Sequence, residues 1–222
     1  MSLVLQESRD NIGILTFNNY DRRNALSRAF ISEILGALKS LIGNKIRVII
    51  IRAHAGAKIW SAGHDITELE KPGRDPLDYY DPLEQVIRAI QSCPVPVIAM
   101  IEGAVWGGAC ELAFVCDILI GTPNTAFTIT PAKIGIPYNP SGILHLINRC
   151  GLGAAKEMFF TAQPLSSERA LQLGILNHVV PVAELESFTF DLAHKITQNS
   201  PLGISAMKEQ LHILSNALPI SA

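Results

Sequence analysis

Apolar positions along the chain fall into short unbroken runs and into helical stripes, and the two kinds alternate. Asn11 to Phe17 (NIGILTF), Val48 to Ile51 (VIII) and Val97 to Ile101 (VIAMI) are strand-like. The uninterrupted run at Val48 to Ile51 suits a sheet covered on both faces. Ile118 to Ile120 and Phe127 to Ile129 are further short strands. Between the runs, Ser27 caps a helical pattern that puts Phe30, Ile31, Ile34, Leu35, Leu38 and Ile42 on one face. Asp81, Pro82 and Glu84 take the N-cap, N1 and N3 positions of a helix ending near Ser92. A glycine-led helix runs from about Gly107 to Cys116. After Gly142 the pattern turns helical: Ser166 opens a short helix ended by Gly174, an amphipathic helix covers Leu185 to Thr197, and Pro201 starts another through Leu214. The pattern predicts an α/β fold, a βα-rich core followed by helices. No linker, low-complexity segment or internal repeat is visible.

With 48% apolar and 17% charged residues, the 222-residue chain can bury one sizeable core. A mean hydropathy of +0.27 is high for a soluble monomer and points to apolar surface buried between subunits. The net charge of −2, without a run of lysines and arginines, gives no long-range attraction to nucleic acid or anionic membrane. Cys93, Cys110, Cys116 and Cys150 form no close CxxC pair and are read as buried thiols of a reducing, cytoplasmic compartment. The six histidines show no metal-ligand spacing, so no metal site is expected. No signal peptide and no apolar run long enough to span a bilayer is visible.

Two segments carry candidate chemistry. Ile59 to Ile66 (IWSAGHDI) follows a strand, and Gly63 allows a tight turn that can present backbone N–H groups. Glu102 to Glu111 (EGAVWGGACE) follows another strand, and Gly107 and Gly108 strip side chains from a helix start whose unpaired N–H groups favour an anion. Those glycines would serve equally for close helix–strand packing. If both turns open at the same edge of one sheet, one N–H from each makes a two-donor oxyanion hole.

The two segments resemble the signature regions of the crotonase, or enoyl-CoA hydratase/isomerase, superfamily. So do NALS at Asn24 to Ser27, PVIAMIEG at Pro96 to Gly103, and FTAQPLSSERALQLGILNHVV at Phe160 to Val180. The resemblance spans nearly the whole chain. It implies a crotonase-like spiral ββα superhelix, with residues 1–180 as the spiral core and residues 181–222 as the start of a C-terminal helical trimerisation region. It also implies coenzyme A thioester substrates, no cofactor beyond that coenzyme A, and homotrimers that pair into hexamers. Family members continue through further C-terminal helices, and the ending at Leu218 to Ala222 reads as incomplete.

Carried over by position, the resemblance assigns the oxyanion donors to the N–H groups of His64 and Gly108. Arg22 and Arg23 stand where the family binds the adenine and phosphate end of coenzyme A, and may equally be a solvated pair. Ala62 and Ile66 would offer backbone contacts to the adenine; Gly63 and Gly107 shape the turns; Trp106 packs beside the acyl pocket; Thr130 meets the substrate carboxylate or a loop carbonyl. Asp65 is as easily a local cap as a ligand contact. The first of two hydratase glutamates matches Glu111, which could also serve only its own helix. The second position is Pro131, which has no acid–base function, so hydration is disfavoured. The loop Thr130 to Asn139 (TPAKIGIPYN) instead offers Tyr138. Together with GRDPLDYYDPL at Gly73 to Leu83, it resembles the decarboxylating members of the superfamily, a resemblance that implies loss of carbon dioxide from methylmalonyl-CoA to leave propionyl-CoA. Hydration or isomerisation, and non-catalytic acyl-CoA binding, are the alternatives. Tyr138 would orient the departing carboxylate, or merely pack against Pro137 and Pro140.

Overall fold

The computed structural model describes residues 2–68 and 79–216. The GRDPLD stretch and the ending at Leu218 to Ala222 lie outside the described residues.

Two antiparallel strands, β1 (Val4–Arg9) and β2 (Ile12–Phe17), open the fold. Asp10 and Asn11 join them with φ of +51° and +64°, the pair of left-handed residues a tight hairpin requires. Helix α1 (Arg28–Gly43) follows, and the Ser27 hydroxyl accepts the Phe30 N–H at 3.2 Å as its cap. Three ββα turns then wind in succession. Strands β3 (Val48–Ala53) and β4 (Ile59–Ser61) lead to helix α2 (Pro82–Gln91), capped by Asp81. Strands β5 (Val97–Ile101) and β6 (Ala104–Trp106) lead to α3 (Gly108–Phe114). Strands β7 (Ile118–Gly121) and β8 (Ala126–Thr128) lead to the short α4 (Pro131–Ile134). The first strand of each turn joins a six-stranded sheet and the second joins a four-stranded one, always in parallel register with the turn before. The spiral ββα superhelix is therefore present, although the turns share no repeated sequence.

Helix α5 (Pro140–Thr161) is broken at Gly151, whose φ of +78° and ψ of 160° interrupt the helical path. Strand β9 (Leu165–Ser166), α6 (Ser167–Gln172), β10 (His178–Val179), α7 (Leu185–Thr197) and α8 (Pro201–Asn216) complete the chain. The alternation of side chains in β3 explains why its sequence is wholly apolar. Ile49 and Ile51 join the cluster under α1, α2 and α3, while Val48 and Ile50 pack on the other face with Leu185, Phe190 and Ala193 of α7. Lys208 ties α8 down through Asp117 Oδ2 at 2.7 Å and the carbonyls of Ile90 and Val95.

Cys93, Cys110 and Cys116 are buried, Cys150 is half-buried, and none is bridged. Burial pushes the Cys110 and Cys116 thiols up to about 12 and Cys150 to about 11, so they stay protonated and inert. Among the described residues no helix is long and apolar enough to cross a membrane, and no group of His, Cys, Asp or Glu side chains is placed to hold a metal ion.

Candidate active site

The two signature turns leave neighbouring strands, but not those the sequence pattern suggests. Each apolar strand is followed by a three-residue strand, β4 or β6, in the smaller sheet, and the turns follow these. Because β4 and β6 are adjacent and parallel, both turns emerge at the same edge.

Hydrogen bonds fix the first turn in place. Asn24 is buried; its amide donates to the Trp60 carbonyl at 2.9 Å, and the Ser61 hydroxyl donates to the Asn24 carbonyl at 2.7 Å. Leu26 forms an isolated parallel bridge with His64: its N–H donates to Gly63 O at 2.8 Å and its carbonyl accepts from Asp65 N at 3.3 Å. A parallel bridge engages the residues on either side of His64, so the N–H of His64 itself points away from Leu26. Gly63 has φ of +82°, and a Cβ there would lie 2.3 Å from the Trp106 carbonyl oxygen. Only glycine lets the two turns approach this closely.

The second turn begins at Gly107, whose φ of +52° and ψ of −125° are a glycine conformation, held by its N–H donating to Thr128 O at 2.8 Å. Gly108 is the first residue of α3, so its N–H has no acceptor within the helix. A Cβ on Gly108 would stand 3.6 Å from His64 N. Standard bond geometry puts N and Cβ of one residue about 2.5 Å apart, so the His64 and Gly108 nitrogens lie within about 6 Å of each other. That bound is close to the spacing of about 5.8 Å or less at which hydrogen bonds of about 2.9 Å from both meet at one oxygen. Neither amide is hydrogen-bonded among the described residues. Two amides without a hydrogen-bond acceptor among the described residues thus lie close together where the two signature turns meet.

Beside this pair stands a buried polar group. Glu111, one turn further along α3, is buried and accepts from His145 Nδ1 at 2.9 Å. Burial raises its carboxyl above the usual range and Glu84 adds to that; the His145 contact and Tyr138 act in the opposite direction. Tyr138 packs edge-on against Phe159, and its hydroxyl is buried with no hydrogen-bond partner of adequate geometry among the described residues. Burial and the neighbouring Glu111 hold that phenol well above its ordinary value, so it is a donor, not an anion. Gly142 makes the grouping possible: a Cβ there would fall 2.4 Å from Tyr138 Cε1 and 2.6 Å from Glu111 Oε2. Buried Glu84 anchors the loop ahead of α5, accepting from Asn139 Nδ2 and from the Ser141 hydroxyl at 3.0 Å.

The other expected residues occupy varied settings. Thr130 Oγ1 makes no capping bond and lies 3.7 Å from where a Gly107 Cβ would be, at the mouth of the second turn. Trp106 has a buried indole N–H without an acceptor among the described residues. The His64 imidazole lies between Asp65 O, 3.3 Å from Nδ1, and Asp81 Oδ1, 4.0 Å from Nε2. Asp65 accepts from the Thr67 N–H and hydroxyl, bonds that hold its carboxyl below the usual range, which is the arrangement of a local cap. The Ala62 N–H is taken by Arg23 O at 2.9 Å, leaving its carbonyl for a ligand. Arg22, Arg23 and Ile66 are exposed along the same rim. A hollow of about 390 Å³ reaches Tyr138 and is lined by Ile136, Ile143, Ile147 and Phe159; His64 and Gly108 do not line it. Sequence reasoning missed His145, Gln91, Glu84 and Gly142. The signal for His145 was a single polar residue inside the apolar run Ile143 to Ile147.

The family profile described as enoyl-CoA hydratase/isomerase matches residues 7–219. The chain is 47% identical over 208 residues to methylmalonyl-CoA decarboxylase of Escherichia coli, covering 94% of this chain and 80% of that protein. It is 30% identical over 210 residues to a short-chain-enoyl-CoA hydratase of Clostridium acetobutylicum, covering 94% and 80%. Among solved structures, methylmalonyl-CoA decarboxylase in complex with 2-nitronate-propionyl-CoA superposes with a TM-score of 0.95 at 45% identity, over 100% of this chain and 85% of the other. The same enzyme complexed with 2S-carboxypropyl CoA gives 0.95 at 44% identity, over the same shares.

Proposed function

This chain belongs to the enoyl-CoA hydratase/isomerase family, and we propose that within it the protein is an acyl-CoA lyase that decarboxylates methylmalonyl-CoA to propionyl-CoA. The observation that carries the reading is the pair of amides, His64 and Gly108, that lie within about 6 Å of each other and have no hydrogen-bond acceptor among the described residues. A thioester oxygen resting there accepts two hydrogen bonds. When the carboxylate leaves the α-carbon, the electron pair of the breaking C–C bond moves into the thioester and charge gathers on that oxygen. Each preorganised donor then contributes about 2.7–4 kcal/mol, realised mainly in the transition state.

Tyr138 supports the choice of reaction. A buried hydroxyl that makes no well-aligned hydrogen bond among the described residues is costly unless a ligand oxygen meets it. A substrate carboxylate does so, and held by Tyr138 out of the thioester plane its C–C bond overlaps the carbonyl π system. Thr130 is a second donor on that side. Pro131 at the position of the second hydratase glutamate leaves one of the two groups that would handle water without an acid–base side chain. Trp106 and Gly107 would border the acyl group, Ala62, Gly63, Asp65 and Ile66 the adenine, and Arg22 and Arg23 the phosphates. No cofactor is invoked beyond the coenzyme A of the substrate.

A homotrimer, or a dimer of trimers, fits the large apolar side chains left at the surface, with Phe160 78% and Leu202 80% exposed. Residues 181–222 would then begin the trimerisation region. The unbridged cysteines suit a cytoplasmic setting. The test is incubation with methylmalonyl-CoA and, separately, crotonyl-CoA. Carbon dioxide release from the first without loss of the conjugated thioester of the second is expected; hydration of crotonyl-CoA alone would replace this reading with the hydratase one.

A further inference from the structure

The thioester chemistry above makes no use of a line of polar groups that crosses the flank of α3. Glu111 Oε1 lies 2.9 Å from His145 Nδ1, and His145 Nε2 lies 2.9 Å from the Gln91 amide nitrogen. In the tautomer in which that nitrogen donates to Nε2, the ring proton sits on Nδ1 and His145 donates to Glu111. At its outer end the line meets a hollow of about 620 Å³, lined by Gln91 and His145 together with Asp117, Arg149, Lys208 and His212. At its inner end, Glu111 Oε2 and the Tyr138 ring converge on Gly142. Glu111 follows Gly108 by three residues, so its side chain leaves α3 on the face that carries Gly108.

We propose that His145 is a positioning residue for Glu111, and that Glu111, so held, is the acid that returns a proton to the α-carbon after carbon dioxide has left. The inference rests on the decarboxylase reading. The step balances. Loss of carbon dioxide leaves the electron pair in the thioester enolate; that pair forms a new C–H bond with the Glu111 carboxyl proton. Glu111 becomes a carboxylate, its charge held by the His145 Nδ1–H. A proton from water restores the acid, and the hollow beside His145 offers water a way in that avoids the thioester.

The surroundings favour the acid form while a substrate carboxylate is bound. Glu111 is faced by His145 from α5, Tyr138 from the loop before α5, and Glu84 from α2, with the protonated thiol of Cys110 beside Tyr138. Glu84 has its own partners in Asn139, Ser141 and Arg88, so it does not neutralise Glu111. A second carboxylate from the substrate makes ionisation of Glu111 still more costly.

The test uses the reverse proton transfer, exchange of the α-hydrogen of propionyl-CoA in deuterium oxide, alongside carbon dioxide release from methylmalonyl-CoA. Exchange needs Glu111 as a base, so its rate climbs with pH through the Glu111 ionisation. His145→Leu removes the hydrogen bond that favours the carboxylate. The expected result is a climb displaced upward by about one pH unit, with maximal exchange at least tenfold slower and KM changed less than twofold. His145→Asn keeps a donor at the Nδ1 position and should return the profile toward wild type; His145→Gln, whose amide reaches the Nε2 position instead, should not. These two amide variants keep the test decisive if the leucine variant does not fold. Carbon dioxide release with an exchange profile indifferent to residue 145, or equal behaviour of the Asn and Gln variants, overturns this inference alone. No carbon dioxide release by the wild-type protein overturns the decarboxylase reading, and the proton return with it.

Discussion

Gly108→Ala should abolish most activity while leaving the fold nearly as stable as before. The added Cβ stands 3.6 Å from His64 N and 2.8 Å from Leu83 Cδ2 on α2. The second contact is tight, but Cδ2 is the tip of a side chain that can turn aside. The backbone at Gly108 is not in the left-handed region, so alanine introduces no strain there, and alanine at a helix start is otherwise favourable. The net stability change should stay within about 1 kcal/mol. The catalytic loss has a different scale. A methyl group crowding the oxygen's position weakens at least one donor, and loss of one oxyanion-hole donor costs about 10² to 10³ in kcat. Carbon dioxide release from methylmalonyl-CoA, measured beside urea unfolding of the same preparation, separates the two effects. An alanine variant that retains activity within threefold of wild type would refute the reasoning, as would one that loses activity only because it unfolds.

Gly63→Ala should fail differently: a Cβ at φ of +82° meeting a backbone carbonyl at 2.3 Å cannot be relieved by a side-chain shift, so thermal stability should fall together with activity. Tyr138→Phe removes a buried hydroxyl that makes no well-aligned hydrogen bond among the described residues, so stability should stay within about 1 kcal/mol of wild type while decarboxylation falls far more than thioester binding; equal activity would remove Tyr138 from the mechanism. Glu111 has its folded pKa raised, so the folded state holds its proton more tightly than the unfolded chain. Its contribution to stability is greatest below the unfolded value, declines as pH rises through the folded one, and is constant above it; Glu111→Gln should lack that decline when the midpoint of unfolding is followed against pH. Lys208→Met deletes the tie between α8 and Asp117 and should cost about 2 kcal/mol in urea unfolding, with kcat unchanged.

Features with a strong local cause were legible in the sequence. Ser27 and Asp81 cap the helices they were expected to cap, because a short polar side chain before an apolar stripe has few other uses. The apolar runs became the central strands of the larger sheet. What was not legible was built from weak local signals. Strands β4 and β6 are three residues each, too short for periodicity, yet they bring the SAGHDI and GGACE turns side by side. Strand β1 is exposed over most of its length at the sheet edge, so no apolar run marks it. The α5 partners of Glu111 depend on contact between residues 34 positions apart, which no spacing rule conveys. Asp65 illustrates the converse: a polar residue in a signature turn that the fold uses for its own capping.

The carbonyl stretch of bound propionyl-CoA, labelled with carbon-13 at the thioester and read by infrared difference spectroscopy, reports directly on whether the His64 and Gly108 amides grip that oxygen. Polarisation by both donors predicts a band at lower wavenumber than the same thioester shows in water, moving back toward the aqueous position in Gly108→Ala. A bound band indistinguishable from the aqueous one in the wild-type protein would contradict the account.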